Sequence, residues 1–256
     1  MTQALAGRHA LVTGGGRGIG AAIAQALAAQ GARVTLLGRT ATQLAETATA
    51  IAKDAMTVIA DITDARQVER AFNEARAAAG EISILVNNAG QPASRALAKS
   101  DEKFWHEMLE VNLTGTWHCT RAAVPAMLAA NWGRIVNVSS TAGLRGYAYC
   151  TAYCAAKHGV IGLTRALALE VAKTGITVNA VCPGYTDTGI VRDAVANISA
   201  KTGRSAAEAR ESLVSFNPQQ RLVTPKEVAN AVLWLCLPGS ESMNGQSIAI
   251  AGGEVT

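Results

Sequence analysis

The chain has 256 residues, 49% of them hydrophobic but only 4% aromatic, and carries a formal net charge of +4. That length suits one domain, and 24 glycines against 6 prolines exclude a disordered or linker-rich chain. The mild basic excess contains no Lys/Arg run long enough to form a nucleic-acid stripe, so nucleic acid is not expected as a partner.

Short β-rich runs alternate with longer Ala-rich stretches. The first strand is read at His9–Thr13, and a Gly-rich turn opens a helix through Ala29. A strand at Arg33–Leu37 and a helix at Ala41–Ala52 follow, then a strand at Met56–Ala60. Asp64 caps a helix reaching Ala79, and Ile82–Val86 is the fourth strand. One long helix covers Asp101–Ala130 despite Pro125 near its end. Arg134–Val138 is the fifth strand, Ala152–Lys173 a long helix and Ile176–Val181 the sixth strand. A helix at Pro225–Cys236 precedes the last strand at Ser247–Ile250. Strands alternating with helices of this length imply βαβ crossovers. The expected fold is therefore α/β: a single-domain, doubly wound parallel sheet of Rossmann type, spanning residues 1–256. The polar stretch between Gly189 and Phe216 breaks the rhythm and is expected to cover the substrate, because ligands bind beyond the carboxyl ends of such strands.

Five cysteines, at positions 119, 150, 154, 182 and 236, lack CxxC spacing and are expected as free thiols in a reducing cytoplasm. Residues Met1 to Arg8 hold no apolar stretch of signal-peptide length. No window approaches the roughly 20 apolar residues of a membrane span. Four histidines without ligand spacing give no metal site. There is no Gly-x-Ser-x-Gly elbow for a hydrolase, and Lys157 lies in no Walker motif.

The first strand runs into Thr13-Gly14-Gly15-Gly16-Arg17-Gly18-Ile19-Gly20, which opens a helix. Glycines there allow a tight turn and let backbone N–H groups approach a pyrophosphate at the helix's positive end. An NAD site would carry Asp or Glu at the end of the second strand, to accept from the ribose 2′-hydroxyl. Here the strand ends Leu36-Leu37-Gly38-Arg39, without a carboxylate. Arg39, with Arg17 in the turn, suits a 2′-phosphate instead, so the expected cofactor is NADP(H).

These residues resemble those of the short-chain dehydrogenases/reductases, and the resemblance covers nearly the whole chain. The family's TGxxxGxG motif is met at Thr13 to Gly20, its NNAG motif at Asn87 to Gly90, and its helix-four asparagine at Asn112. The catalytic serine corresponds to Ser140, the YxxxK pair to Tyr153 and Lys157, and the PGxxxT segment to Pro183–Thr188. The resemblance implies that Gly14, Arg17, Gly18, Ile19 and Gly20 hold the pyrophosphate end of the cofactor. It puts Asp61 and Ile62 beside the adenine and Asn88, Ala89 and Gly90 along the cofactor. Pro183, Gly184, Thr186 and Thr188 would hold the nicotinamide. It also implies a cytoplasmic homotetramer packed through the two long helices.

β-Ketoacyl reductases and polyketide ketoreductases are the most similar branch, through the run Gly175 to Gly184. Ketoacyl reductases that dock acyl-carrier protein resemble one another in basic residues at the points matched by Asn131 and Thr174. Neither is basic here, which leaves acyl-CoA or free ketones open as substrates.

Tyr153 and Lys157 are one helical turn apart and share a face. The expected chemistry is ketone reduction: Tyr153 gives the proton, Ser140 hydrogen-bonds the substrate oxygen, and Lys157 holds the ribose and lowers the tyrosine pKa. Lys157 would pass protons through a water bound by Asn112. Leu144, Tyr147 and Tyr185 are the expected substrate contacts, and their apolar character favours a hydrophobic ketone or 3-oxoacyl thioester. A polyol or sugar dehydrogenase of the same fold, and a non-catalytic NADPH-sensing module, are the alternatives.

Overall fold

A computed structural model describes residues 3–51 and 55–255. One seven-stranded sheet organises the chain, with strand order β3-β2-β1-β4-β5-β6-β7. Its strands are β1 (His9–Thr13), β2 (Arg33–Gly38), β3 (Ala55–Ile59), β4 (Ile84–Asn87), β5 (Gly133–Val138), β6 (Ile176–Pro183) and β7 (Ser247–Ile250). Every pairing is parallel, from Val34 beside Ala55 at one edge to Ala180 beside Ser247 at the other. The order reverses between β1 and β4, and a doubly wound sheet opens its ligand crevice at such a point.

Alternation along each strand divides the core in two. Ala10, Val12, Val34, Leu36 and Val136 face one side and pack against α1 (Gly18–Ala29), α2 (Ala41–Ile51) and α9 (Pro225–Cys236). Leu11, Leu37, Leu85 and Ile135 face the other side, against α3 (Ala65–Ala79), α5 (Gly115–Ala129) and α6 (Thr151–Glu170). Both faces are therefore apolar and covered, which is why the strands read as continuous hydrophobic runs. Phe72 of α3, fully buried, is the one phenylalanine at the centre of its layer.

Local chemistry fixes the helix ends. The Asp64 carboxylate accepts from the amides of Arg66 and Gln67, which starts α3 as expected. Thr224 and Glu227 form a reciprocal capping box, with Pro225 at the first position of α9. The predicted end of the second helix at Ala52 lies outside the described residues, as do Met1 and Thr2 of the N-terminal reading.

Several boundaries differ from expectation, β4 among them, which runs Ile84–Asn87 and not Ile82–Val86. The long helix at 101–130 is interrupted: α4 (Glu102–Leu109) passes through a π-helical turn at Glu110–Thr114 before α5 begins. Asn112 sits in that turn, fully buried, and its side-chain bonds to another loop hold the extra residue in place. The helix expected to reach Lys173 ends at Glu170, and β6 extends to Pro183. The polar stretch after β6 folds as α7 (Gly189–Thr202) and α8 (Ala206–Val214). No described helix is long and apolar enough to cross a membrane.

Candidate active site

The carboxyl ends of β1, β2, β4, β5 and β6 open into one cleft of about 1050 Å³. At its first end the glycine turn passes from β1 into α1. Gly14 has φ +63, and a methyl on Gly20 would collide with the Gly14 carbonyl oxygen, so neither position accepts a side chain. The Thr13 hydroxyl accepts from the amides of Asn88 and Ala89, both at 3.0 Å. The Asn88 amide donates back to the carbonyls of Thr13 and Gly14. Two separate motifs of the sequence are thus one clasped unit: the loop after β4 holds the turn after β1 in shape.

Arg39 and Asp61 face each other across the next part of the cleft, 3.5 Å apart. Burial raises the Asp61 carboxyl, but bonds from Thr63 and the charge of Arg39 outweigh it and hold it below the usual carboxylate range. The Arg39 side chain is 67% exposed, so its guanidinium is open to a further anion. Arg17 points elsewhere: its Nη1 lies 3.9 Å from where a Gly189 Cβ would stand, beside the start of α7. Among the described residues no group of acidic, Cys or His side chains could hold a metal ion. The donor set fits a dinucleotide: glycines without room for side chains where β1 passes into α1, and the exposed Arg39 guanidinium beyond them.

The reactive end lies where β5 meets α6. Ser140 follows β5, and its Oγ accepts from the Ala142 amide at 3.1 Å. Ser140 is also the neighbour that lowers the Tyr153 pKa, but burial dominates and pushes the phenol up to about 12. Tyr153 is therefore protonated throughout the neutral range. Lys157 is 5% exposed, and its Nζ donates to the Val138 carbonyl at 2.9 Å while lying 5.8 Å from the centre of the Tyr153 ring. Burial lowers its pKa to about 8, partly offset by the Cys182 thiol. Lys157 is expected to lower the tyrosine pKa, against the desolvation that raises it. Desolvation of the phenol is the larger effect, and the ammonium is turned toward a backbone carbonyl.

The Asn112 side chain is taken up by the loop after β4 and by its own helix. Its Oδ1 accepts from the Gln91 amide, and both amide hydrogens are donated, to the Gln91 and Met108 carbonyls. The side chain braces the loop after β4, and only Oδ1 can take a further partner. These bonds hold the π-helical turn in place, with Asn112 turned inward toward Gln91.

Of the expected site residues, the cleft gathers all but two. Gly20 packs behind the turn, and Leu144 ends the 3-10 turn at Thr141–Gly143 without lining the cleft. Tyr147 does line it, as do Tyr185 and Ile62. Phe216 joins the two tyrosines, its ring centre 5.8 Å from that of Tyr147 and 5.6 Å from that of Tyr185. Cys150 and Val138 line the cleft too, and sequence reasoning did not single them out as pocket residues. Their only signal is position: each stands within a few residues of a motif. Tyr149, by contrast, is 66% exposed and adopts φ 66, with its carbonyl accepting from the Arg95 amide. That bond ties the loop after β4 to the loop before α6.

A family model described as short chain dehydrogenase matches residues 8–199. The chain is 38% identical over 255 residues to D-beta-hydroxybutyrate dehydrogenase of Cupriavidus necator, covering 98% of this chain and 99% of the other. It is 34% identical over 247 residues to the 3-oxoacyl-(acyl-carrier-protein) reductase FabG of Escherichia coli, covering 96% and 97%. A crystal structure of a point variant of actinorhodin polyketide ketoreductase with NADPH superposes with a TM-score of 0.94 at 36% identity, covering 99% of both chains.

Proposed function

The chain belongs to the short-chain dehydrogenase/reductase family, an oxidoreductase of CH–OH and C=O groups that takes a nicotinamide cofactor, and from that premise we propose that it is an NADPH-dependent ketoreductase. Its substrate in this reading is a 3-oxoacyl thioester such as an acyl-CoA, or a related hydrophobic ketone. The observation that carries the proposal is the convergence of Ser140, Tyr153 and Lys157 at one end of a cleft whose other end is the glycine turn.

A bound nicotinamide supplies hydride to the carbonyl carbon. Tyr153, protonated because burial lifts it to about 12, gives the proton to the carbonyl oxygen. The Ser140 hydroxyl donates to the same oxygen as negative charge develops there. Lys157 holds the cofactor ribose, and its charge favours the phenolate left on Tyr153. Arg39 takes the 2′-phosphate, where a carboxylate would repel it. The remaining cofactor contacts are those assigned above to the glycine turn, to Asp61 and Ile62, to Asn88 to Gly90, and to Pro183 to Thr188.

The segment 189–216 acts as the substrate cover. Ile198 and Leu213 of this segment reach the cleft, and Val191, Leu213, Tyr185 and Ile198 form a small apolar cluster beneath it. The aromatic wall of Tyr147, Tyr185 and Phe216 favours a hydrophobic ketone over a polyol. A sensor would have no use for a buried lysine one turn from a protonated tyrosine.

Exposed Trp117 and Leu128 on α5 and Leu169 on α6, the last 80% exposed, support a homotetramer packed through these helices. The five thiols, all unpaired, suit the reducing cytoplasm. NADPH consumption with a panel of 3-oxoacyl-CoA esters, cyclic ketones and sugars tests the reading. Turnover confined to sugars, or binding without turnover, would overturn it.

A further inference from the structure

The chain folds its last residues back onto the substrate end of the cleft. Gly252 and Gly253 both have positive φ and turn the chain after β7. Gly252 packs directly on the buried Asn217 side chain, and Gly253 lies against Pro218. Asn217 in turn donates to the Arg221 carbonyl at 2.8 Å, so the tail is held against the segment that follows α8. That turn delivers the Glu254 side chain inward.

Its carboxylate meets two residues that line the cleft. Oε1 accepts from the Tyr147 hydroxyl, whose oxygen accepts in turn from the Thr141 hydroxyl 2.8 Å away. Oε2 lies 2.8 Å from where a Gly184 Cβ would stand, so any larger residue at 184 would displace it. Tyr147 and Gly184 share the cleft with Ser140 and Tyr153. Arg145 is the nearby cation, but its Nη1 donates to the Glu254 backbone carbonyl at 3.3 Å and its guanidinium sits over the Tyr147 ring. The hydrogen-bond donor to the carboxylate is thus the neutral Tyr147 hydroxyl, with the Arg145 charge near it rather than bonded to it.

We propose that Glu254 is a charge filter for the substrate: it excludes ketones that carry a free carboxylate near the carbonyl and admits neutral ones, esters, thioesters and plain ketones. The inference rests on the ketoreductase reading and narrows it from ketones in general to those without a negative charge at that end. The physical basis is like-charge repulsion in a half-buried site, where water screens a charge poorly. A 3-oxo acid seated against Tyr147 and Gly184 would bring its carboxylate close to that of Glu254, which contacts both. A thioester of the same acid presents no charge there.

Acetoacetate and its ethyl ester test the filter, since they differ in that one charge. Binding is measured by titration calorimetry on the complex with oxidised NADP, in which a ketone cannot be reduced. The wild-type protein should bind the ester at least about tenfold more tightly than the acid, and Glu254→Gln should bring the ratio below about threefold. Tyr147→Phe keeps the carboxylate while removing its hydroxyl partner, and its ratio should stay near the wild-type value. Equal wild-type binding of acid and ester, or an unchanged ratio in Glu254→Gln, would overturn the filter. Collapse of the ratio in Tyr147→Phe alone would also overturn it, by assigning selectivity to loop packing. Turnover of the ester with NADPH is followed separately. A protein that discriminates but does not turn over keeps the filter and loses the ketoreductase reading.

Discussion

Lys157 Nζ donates to the carbonyl oxygen of Val138 at 2.9 Å, and Ser139, the next residue along, donates its hydroxyl to the carbonyl of Lys157 at 3.0 Å. This reciprocal pair pins the first turns of α6 to the end of β5. It fixes Tyr153, one turn earlier on the helix, opposite Ser140. The lysine is buried with a backbone carbonyl as its partner, and that burial lowers its pKa to about 8.

The pH profile of ketone reduction should follow from that value. kcat/KM reports the protonation of the free enzyme, and the charged lysine is the active form. The profile should be flat on the acid side of about 8 and fall roughly tenfold per pH unit above it. A profile still flat at about pH 10 would contradict the role given to Lys157. Stability moves the other way, because the unfolded chain holds the lysine proton up to 10.5 while the folded one releases it from about 8. Between those values the unfolded state binds more protons, so the Lys157 contribution to stability rises with pH. Denaturant titrations of wild type and Lys157→Met should diverge in that window.

Cofactor choice should rest on Arg39. Its guanidinium is exposed and, among the described residues, pairs with Asp61 alone, at 3.5 Å. Arg39→Ala should weaken NADPH binding about tenfold, roughly 1.4 kcal/mol, while NADH binding changes by less than about twofold. Calorimetric titration with both nucleotides checks it. Equal losses for both would place Arg39 away from the 2′-phosphate.

His9 should make the fold acid-sensitive. Its ring is buried at the start of β1, Nδ1 paired with the Gly80 carbonyl at 2.7 Å and Nε2 with the Thr35 hydroxyl at 2.8 Å. Burial, the largest influence, lowers its pKa from 6.5, with the Gly80 bond and Glu81 opposing. The folded state therefore keeps the neutral ring. Its contribution is intact above 6.5 and is lost as pH falls through the lowered folded value, because the unfolded chain binds the proton first. His9→Asn should cost about 1–3 kcal/mol at neutral pH and show a shallower decline on acidification, measured by urea titration.

Much of this molecule is legible in the sequence, for identifiable reasons. The inner strands of the sheet, such as β1, β4, β5 and β6, are buried on both faces, so they appear as apolar runs even where their limits shift by a residue or two. Thr13 to Gly20, Asn87 to Gly90 and Tyr153 with Lys157 are motifs because backbone shape and helical spacing fix them locally. The break at Asn112 is not local: the π-helical turn exists because the side chain bonds Gln91, twenty-one positions away. The direction of Lys157 depends on a Val138 carbonyl with no side-chain signature. Glu254 enters the site only through a tail folded over Asn217, and adjacent sequence carries no trace of that packing. Leu144, read as a pocket residue for its apolarity, is turned aside by the short turn it ends.

The central claim is that Tyr153 supplies the proton, and a single substitution tests it. Tyr153→Phe removes the hydroxyl and keeps the ring that fills the cleft. The account predicts NADPH binding within about threefold of wild type and ketone turnover reduced by about 10²–10⁴-fold, the scale of a lost general acid. Turnover within about threefold of the wild-type rate would contradict it.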